Sequence, residues 1–313
     1  MTAGGARAWA EQERKAMRIL LFGADGQVGW ELQRALCSLG DVVALGHAEG
    51  DLEQPLEASI LARRPDVIVN AAAYTAVDQA ESERGRAMRI NAEAVGEMAR
   101  AAAALGALLV HYSTDYVFDG AKDGPYVESD PTAPLSVYGH SKLAGEEAIR
   151  ATPGCAHFIF RTSWVYALRG RNFARTIVQR ARTMERLQVV ADTHGVPASA
   201  ELLADVTALA IRAARAPGGA VGGGTFHLVP SGATSWHGYA VFLIETLRAA
   251  GVAIRVAPER IVPVPASAFP APARRPLNSR LDNARLCAHL GLQLPDWRLH
   301  VRRLADGLAR ELT

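Results

Sequence analysis

Cysteine is scarce in this sequence. Cys37, Cys155 and Cys287 stand far apart, with no paired spacing. So sparse and odd a count excludes a disulfide framework and fits a reducing compartment. With no CxxC pair and no clustered Cys/His spacing, a structural zinc site is excluded as well. All three thiols are expected to be small buried side chains. Long apolar runs are also missing, and none reaches the roughly 20 residues of a membrane span. The first sixteen residues, MTAGGARAWAEQERKA, lack the apolar centre of a signal peptide. They read as a disordered extension, so a cytoplasmic protein with no membrane partner is expected. Finally, no charge sign dominates. Lys and Arg number 34 against 32 Asp and Glu, a formal net charge of +2. That balance gives no reason to expect nucleic acid as a partner.

The sequence does hold a large apolar fraction, 49% of 313 residues, enough for one large α/β domain and a smaller companion. Short apolar runs at 18–22, 41–45, 66–70, 108–112, 157–161 and 225–229 read as strands, the first four as strands buried on both faces. Helical stretches separate them at 27–38, 56–63, about 85–105, 137–150, 172–182 and 200–214. Repeated strand–helix–strand units predict a doubly wound parallel sheet. The segment 118–135 reads as a loop. The segment 261–276 holds five of sixteen prolines and is expected to be an extended loop.

A buried strand leads directly into Gly23, Gly26 and Gly29, followed by a helix. Such glycines let the backbone approach a pyrophosphate at a helix N-terminus, although the spacing is G-x-x-G-x-x-G rather than the usual fingerprint. At the end of the second strand Gly46 stands where an acid often holds the ribose 2′-hydroxyl. With no carboxylate there, NADPH is the expected cofactor and NADH the alternative. Asp51 and Leu52 are expected near the adenine, with a helix cap as the plainer role for Asp51. After the third strand, Asn70 is followed by Ala71, Ala72, Ala73, Tyr74 and Thr75. Their small side chains suit close backbone contact with a ligand.

Tyr138 and Lys142 share one helical face at four-residue spacing. A phenol titrates near 10, and a neighbouring ammonium is expected to lower that value. Lys142 can also bond the cofactor ribose. The phenol then gives a proton to a carbonyl oxygen. Thr114 or Ser113, just past the fourth strand, supplies a hydroxyl to the same carbonyl. Such a Tyr/Lys pair alone would be an ordinary surface pair. Its place after a proline-marked loop and a strand ending in Tyr112-Ser113-Thr114-Asp115 favours catalysis.

The strings FGADGQVGWELQ, NAAAYTAVDQAE, HYSTDYVFDG, YGHSKLAGE, FRTSWVY, AELLAD, TSWHGYA and RPLNSRL run in order through most of the chain. Together they resemble the extended short-chain dehydrogenase/reductase family, and within it the branch acting on dTDP-4-dehydro-6-deoxy-L-mannose. The resemblance implies an α/β (Rossmann) fold with a smaller C-terminal substrate-binding domain. Residues 17–168 would bind dinucleotide, a strand and helix returning at about 199–229. Residues 169–198 and 230–313 would bind a dTDP-sugar. The reaction implied is NAD(P)H-dependent reduction at C4 to dTDP-L-rhamnose. Tyr138 would be proton donor, Lys142 its activator and Thr114 the carbonyl partner. Gly26, Gln27, Val28, Asp51, Leu52, Ala73, Tyr74, Thr75 and Tyr112 would lie at the cofactor. Thr114, Asp115 and Trp164 would lie at the sugar nucleotide, with Trp164 an apolar wall for a deoxysugar or, equally, a core tryptophan. Arg275 and Arg280 are candidates for its diphosphate.

Some relatives form dimers through Mg²⁺ held by glutamates. Glu31 and Glu201 match candidate positions, but Gly307 stands where a further acid is expected. No metal is therefore expected, and a homodimer stays open. Two other readings remain. One is a non-catalytic regulatory subunit similar to that of methionine adenosyltransferase. The other is a related epimerase or dehydratase using tightly held NAD. A dehydratase would need extra carboxylates beside the tyrosine, and the sequence offers none there.

Overall fold

The computed structural model describes residues 16–216 and 222–312. The expected N-terminal extension lies outside the described residues apart from Ala16. So does most of the glycine-rich turn expected at 216–224.

MRILLF forms β1 (Met17–Phe22). Glycine-rich residues then lead into α1 (Gln27–Leu36). The winding continues with β2 (Gly40–Leu45), α2 (Glu57–Arg63) and β3 (Val67–Asn70). Next come α3 (Ala94–Leu105), β4 (Leu108–Thr114), α4 (Val137–Arg150) and β5 (Ala156–Thr162). The chain then leaves the sheet through α5 (Phe173–Thr183) and β6 (Leu187–Val190). It returns with α6 (Ala200–Ala214) and β7 (Gly224–His227). The order β7-β5-β4-β3-β1-β2 is parallel throughout. The chain reverses its direction of travel at β1 and β3, so a crevice opens at their C-terminal ends.

Alternation along β1 sends Ile19 and Leu21 to one face and Leu20 and Phe22 to the other. The first face packs on Leu32 and Leu36 of α1 and on Leu203 of α6. The second packs on Ile60 of α2 and Met98 of α3. Each large aliphatic side chain buried this way contributes about 1.5–3 kcal/mol. β2 departs from the expectation of two buried faces. It is the sheet's edge, with Val43 half exposed, because no further strand covers it.

The long helix expected at 85–105 is interrupted. A short turn over Arg84–Met88 leads into a π-helical turn, Arg89–Glu93, before α3. The π turn carries buried Asn91, whose Oδ1 accepts from Tyr74 N at 2.9 Å. Its Nδ2 donates to Tyr74 O at 3.0 Å and to Ser141 Oγ at 2.9 Å.

A second core forms the smaller domain. α7 (Trp236–Ala249) is capped by Ser235, whose hydroxyl accepts from Gly238 N, and buries Tyr239, Leu243 and Leu247. β8 (Ile261–Val264) pairs in parallel with β6. The proline-rich segment expected to be a loop thus begins as a strand. Pro263 fits because this two-stranded sheet leaves each strand an edge. The C-terminal α8 (Trp297–Leu312) buries Trp297, Val301, Leu304 and Leu308 into the same core. Among the described residues no helix is long and apolar enough to cross a membrane. Of the cysteines, Cys155 is buried, but Cys37 is exposed and Cys287 only partly covered, against the expectation that all three are buried.

Candidate functional site

Two cavities, of about 470 and about 480 Å³, share Ala71, Ala73 and Thr75 as a wall, and so make one trough across the crevice. Its floor follows from missing side chains. Gly23 takes φ +79°, and a Cβ there would lie 2.7 Å from Ala72 N, so only glycine lets the loops after β1 and β3 pass. Gly29 is buried, and a Cβ there would sit 1.9 Å from Gly23 O. It sets the close packing of helix on loop and lines neither cavity. No side chain caps α1, so its first amides have only the trough to face.

The first cavity is lined by Gly23, Gly26, Asp51, Leu52, Ala72 and Tyr74, among others. Asp51 also accepts from Glu53 N at 2.9 Å, so the turn-capping and lining roles coexist. Sequence reasoning found no carboxylate at the end of the second strand. One is nevertheless present. Asp25, between the first two glycines, reaches across to accept from His47 N at 3.0 Å.

Gln27, Val28, Tyr112, Thr114, Asp115, Tyr138, Lys142 and Trp164 line the second cavity. Ser136 caps α4, its hydroxyl accepting from Gly139 N at 3.2 Å. The cap fixes where the helix starts and therefore where Tyr138 points. Gly139 allows close approach, since a Cβ there would lie 2.4 Å from Tyr116 O. Tyr116 meets the Tyr138 ring edge-on at 5.6 Å between centroids.

Burial pushes the Tyr138 phenol up to about 12, and the Asp115 charge adds to this, while a hydrogen bond with Thr114 pulls the other way. The expected lowering by Lys142 is absent. The ammonium is turned to the sheet, donating to Tyr112 O at 2.7 Å and lying 3.2 Å from His111 Nε2. Burial lowers its pKa to about 8. His111 is fully buried and held well below its ordinary value by desolvation and by Lys142. Its Nδ1 lies 3.1 Å from Asn70 Nδ2, and Asn70 Oδ1 accepts from Ala72 N.

Thr114 donates to Asp115 Oδ1 at 3.0 Å. Asp115 is buried, with Oδ2 unpartnered, and desolvation raises it to about 6. A carboxylate therefore does stand beside the tyrosine, contrary to the expectation from sequence, although it is one rather than several. Ser113, the alternative hydroxyl, is committed to Glu146 Oε1 at 2.6 Å. Glu146 is fully buried and also pairs with Arg161 and Arg150.

Trp164 adopts φ +46°, uncommon for a bulky residue, and stacks on Trp236 at 3.6 Å between centroids. Gly195 makes room for it, since a Cβ there would lie 2.5 Å from the indole. Trp236, at the start of α7, joins Trp164 in lining the cavity. The neighbouring His237 anchors the helix, its Nε2 lying 2.8 Å from Ile261 O.

Two expected substrate residues are engaged by other groups of the protein. Arg275 pairs with Asp78 at 2.6 Å and also bonds with Tyr116, which lines the second cavity. Arg280 bonds Asn278 Oδ1 at 2.8 Å and the Asp123 carbonyl, bracing a loop. Glu31 and Glu201 do share a small crevice, each engaged by an arginine, Arg34 and Arg303 respectively. Among the described residues no group of three or more His, Cys, Asp or Glu is arranged to hold a metal. Sequence reasoning missed Asp25, Tyr116, Glu146 and Trp236. Glu146 had a signal, since 138, 142 and 146 continue one helical face.

The family model described as "RmlD substrate binding domain" matches residues 17–310. A curated dTDP-4-dehydrorhamnose reductase of Burkholderia thailandensis is 50% identical over 289 residues, 91% of this chain and 97% of that protein. The crystal structure of such a reductase from Clostridium acetobutylicum superposes with a TM-score of 0.84 at 35% identity, covering 93% of this chain and 99% of that one. One from Bacillus anthracis, in complex with NADP, gives 0.82 at 33% identity, covering 92% and 98%. A match running from the first strand into the last helix, on a sheet with its glycine loop and tyrosine helix in place, makes this chain a member of the dTDP-4-dehydrorhamnose reductase family.

Proposed function

We propose that the protein reduces dTDP-4-dehydrorhamnose to dTDP-L-rhamnose with NAD(P)H, using Tyr138 as proton donor. The observation that carries this reading is the meeting of the Tyr138 phenol and the Thr114 hydroxyl at the trough that begins at the glycine loop. The uncapped start of α1 suits a dinucleotide, with Gly26, Gln27 and Val28 beside its diphosphate. Asp51, Leu52 and residues 71–75 line the adenosine side. The reduced nicotinamide, when bound, supplies the hydride.

The chain's own groups handle the rest. Tyr138 gives its proton to the ketone oxygen as negative charge develops there. Thr114, turning its hydroxyl proton from Asp115 to the same oxygen, donates a hydrogen bond that strengthens as that charge grows. A neutral phenol is the form needed for this, and burial keeps it neutral. Lys142 sits behind Tyr138 with its ammonium destabilised by burial, ready to exchange a proton near neutral pH. Trp164 and Trp236 offer an apolar wall to a 6-deoxy sugar, and Asp115 can accept from a sugar hydroxyl.

The test is oxidation of NADH or NADPH by the purified protein with dTDP-4-dehydrorhamnose, with dTDP-L-rhamnose identified as product. Substrate-dependent oxidation is expected, and it should be lost in Tyr138→Phe. Nucleotide binding with no turnover would favour the regulatory reading instead.

A further inference from the structure

The two sides of the adenosine end of the trough are built as a complementary pair. β2 ends at Leu45, and Leu45 O accepts from both Gly23 N and Ala24 N at 3.0 Å. This pins the glycine loop against the strand end. Asp25 is the next residue, and its side chain crosses to residues 46 and 47. A Cβ built on Gly46 would lie only 2.4 Å from Asp25 Oδ2. The His47 amide donates to that same oxygen at 3.0 Å. Position 46 is thus bare because a carboxylate from the other loop fills its space. Both residues line the first cavity.

We infer that Asp25 is the residue that discriminates between the two nicotinamide dinucleotides, selecting NADH. A carboxylate at the end of the second strand accepts from the ribose 2′-hydroxyl and repels a 2′-phosphate. Here the same charge arrives at the same place from the glycine loop. Other charged groups lining the cavity reinforce the choice. Asp51 adds a second carboxylate. Arg86 is the cavity's one guanidinium among the described residues, and it is held by Glu53 at 2.7 Å and Glu83 at 3.3 Å. A 2′-phosphate would meet two acids and an arginine already engaged. This reverses the preference expected from Gly46 alone, because the compensating residue lies 21 positions earlier in the chain.

The inference rests on the reductase reading, and binding separates the two. Kd for NADH and for NADPH is measured by titration of the intact protein, with kcat/KM alongside. In the wild type NADH should bind the tighter. Asp25→Ala and Asp25→Ser should shift the Kd ratio toward NADPH by roughly tenfold, through tighter NADPH binding. Adding Gly46→Asp to Asp25→Ala should restore the preference for NADH. Raising salt should narrow the wild-type ratio but not that of Asp25→Ala. A ratio unmoved in both single variants overturns the inference and leaves the reductase reading standing. Failure of both dinucleotides to bind the wild type overturns the inference and the reductase reading together.

Discussion

Glu146 and Arg161 form a two-pronged ion pair, Nε to Oε1 at 2.8 Å and Nη2 to Oε2 at 2.7 Å, entirely beneath the active-site strand end. Ser113 donates to the same Oε1, so the pair holds the backbone from which Thr114 projects. Breaking a buried pair by removing one charge typically costs about 3–5 kcal/mol. Glu146→Gln is therefore expected to lower the urea midpoint markedly. Despite burial, Arg161 and the hydrogen bonds hold the Glu146 carboxyl below its ordinary range. Its stabilisation is present above the ordinary glutamate range and is lost as pH falls through the depressed value. Wild-type stability should thus decline below about pH 4.5, and Glu146→Gln should flatten that decline. An equally steep acid limb in the variant would remove Glu146 from this role.

Tyr138→Phe keeps the ring against Tyr116 and deletes only the proton. Turnover should fall by roughly 10²–10⁴-fold, the usual worth of a general acid. Kd for NADH should stay within about twofold of wild type. Stopped-flow turnover and fluorescence titration read the two quantities separately.

Lys142 is nearly fully buried, and its pKa falls to about 8. An unfolded lysine binds its proton up to about 10.4, so between those values the unfolded chain carries the extra proton. Stability should therefore rise with pH over that window. Lys142→Met should abolish the rise, as measured by denaturation at pH 8, 9 and 10. It should also lower kcat, since an amine beside Tyr112 O and His111 is replaced by an apolar group.

Gly195→Ala would drive a methyl into the Trp164 indole and disturb its stack on Trp236. KM for the sugar nucleotide should rise roughly tenfold with little change in Kd for the dinucleotide, because the stack lines the second cavity and not the first. Equal losses in both would point to general misfolding, which thermal denaturation would reveal.

The parallel sheet was legible because its inner strands are short unbroken apolar runs, and the glycine loop because only glycine permits its contacts. The tyrosine helix was legible from the Tyr138/Lys142 spacing taken with its place after the proline-marked loop and the fourth strand. Other features depend on partners distant in the chain. β2 carries the same apolar string as its neighbours yet sits at an edge, which no local pattern encodes. β8 hid among prolines because its ladder needs only β6. The Arg275 and Arg280 side chains are held by Asp78 and by the loop at Asp123, contacts across more than 150 positions. α8 went unread, although Trp297, Val301, Leu304 and Leu308 recur at helical spacing.

The π turn at Arg89–Glu93 has a consequence for how this scaffold can change. Its Asn91 carbonyl sits where a Cβ on Gly145 would come within 2.2 Å, so the widened coil rests directly on the helix bearing the phenol. Excising a single residue there would turn everything upstream by roughly 100° about the axis. The amide of Asn91 would then swing off both Tyr74 and Ser141, uncoupling the nucleotide wall from the proton donor. In this stretch, chain length is under tighter control than residue identity, and deletions should be far more damaging than substitutions.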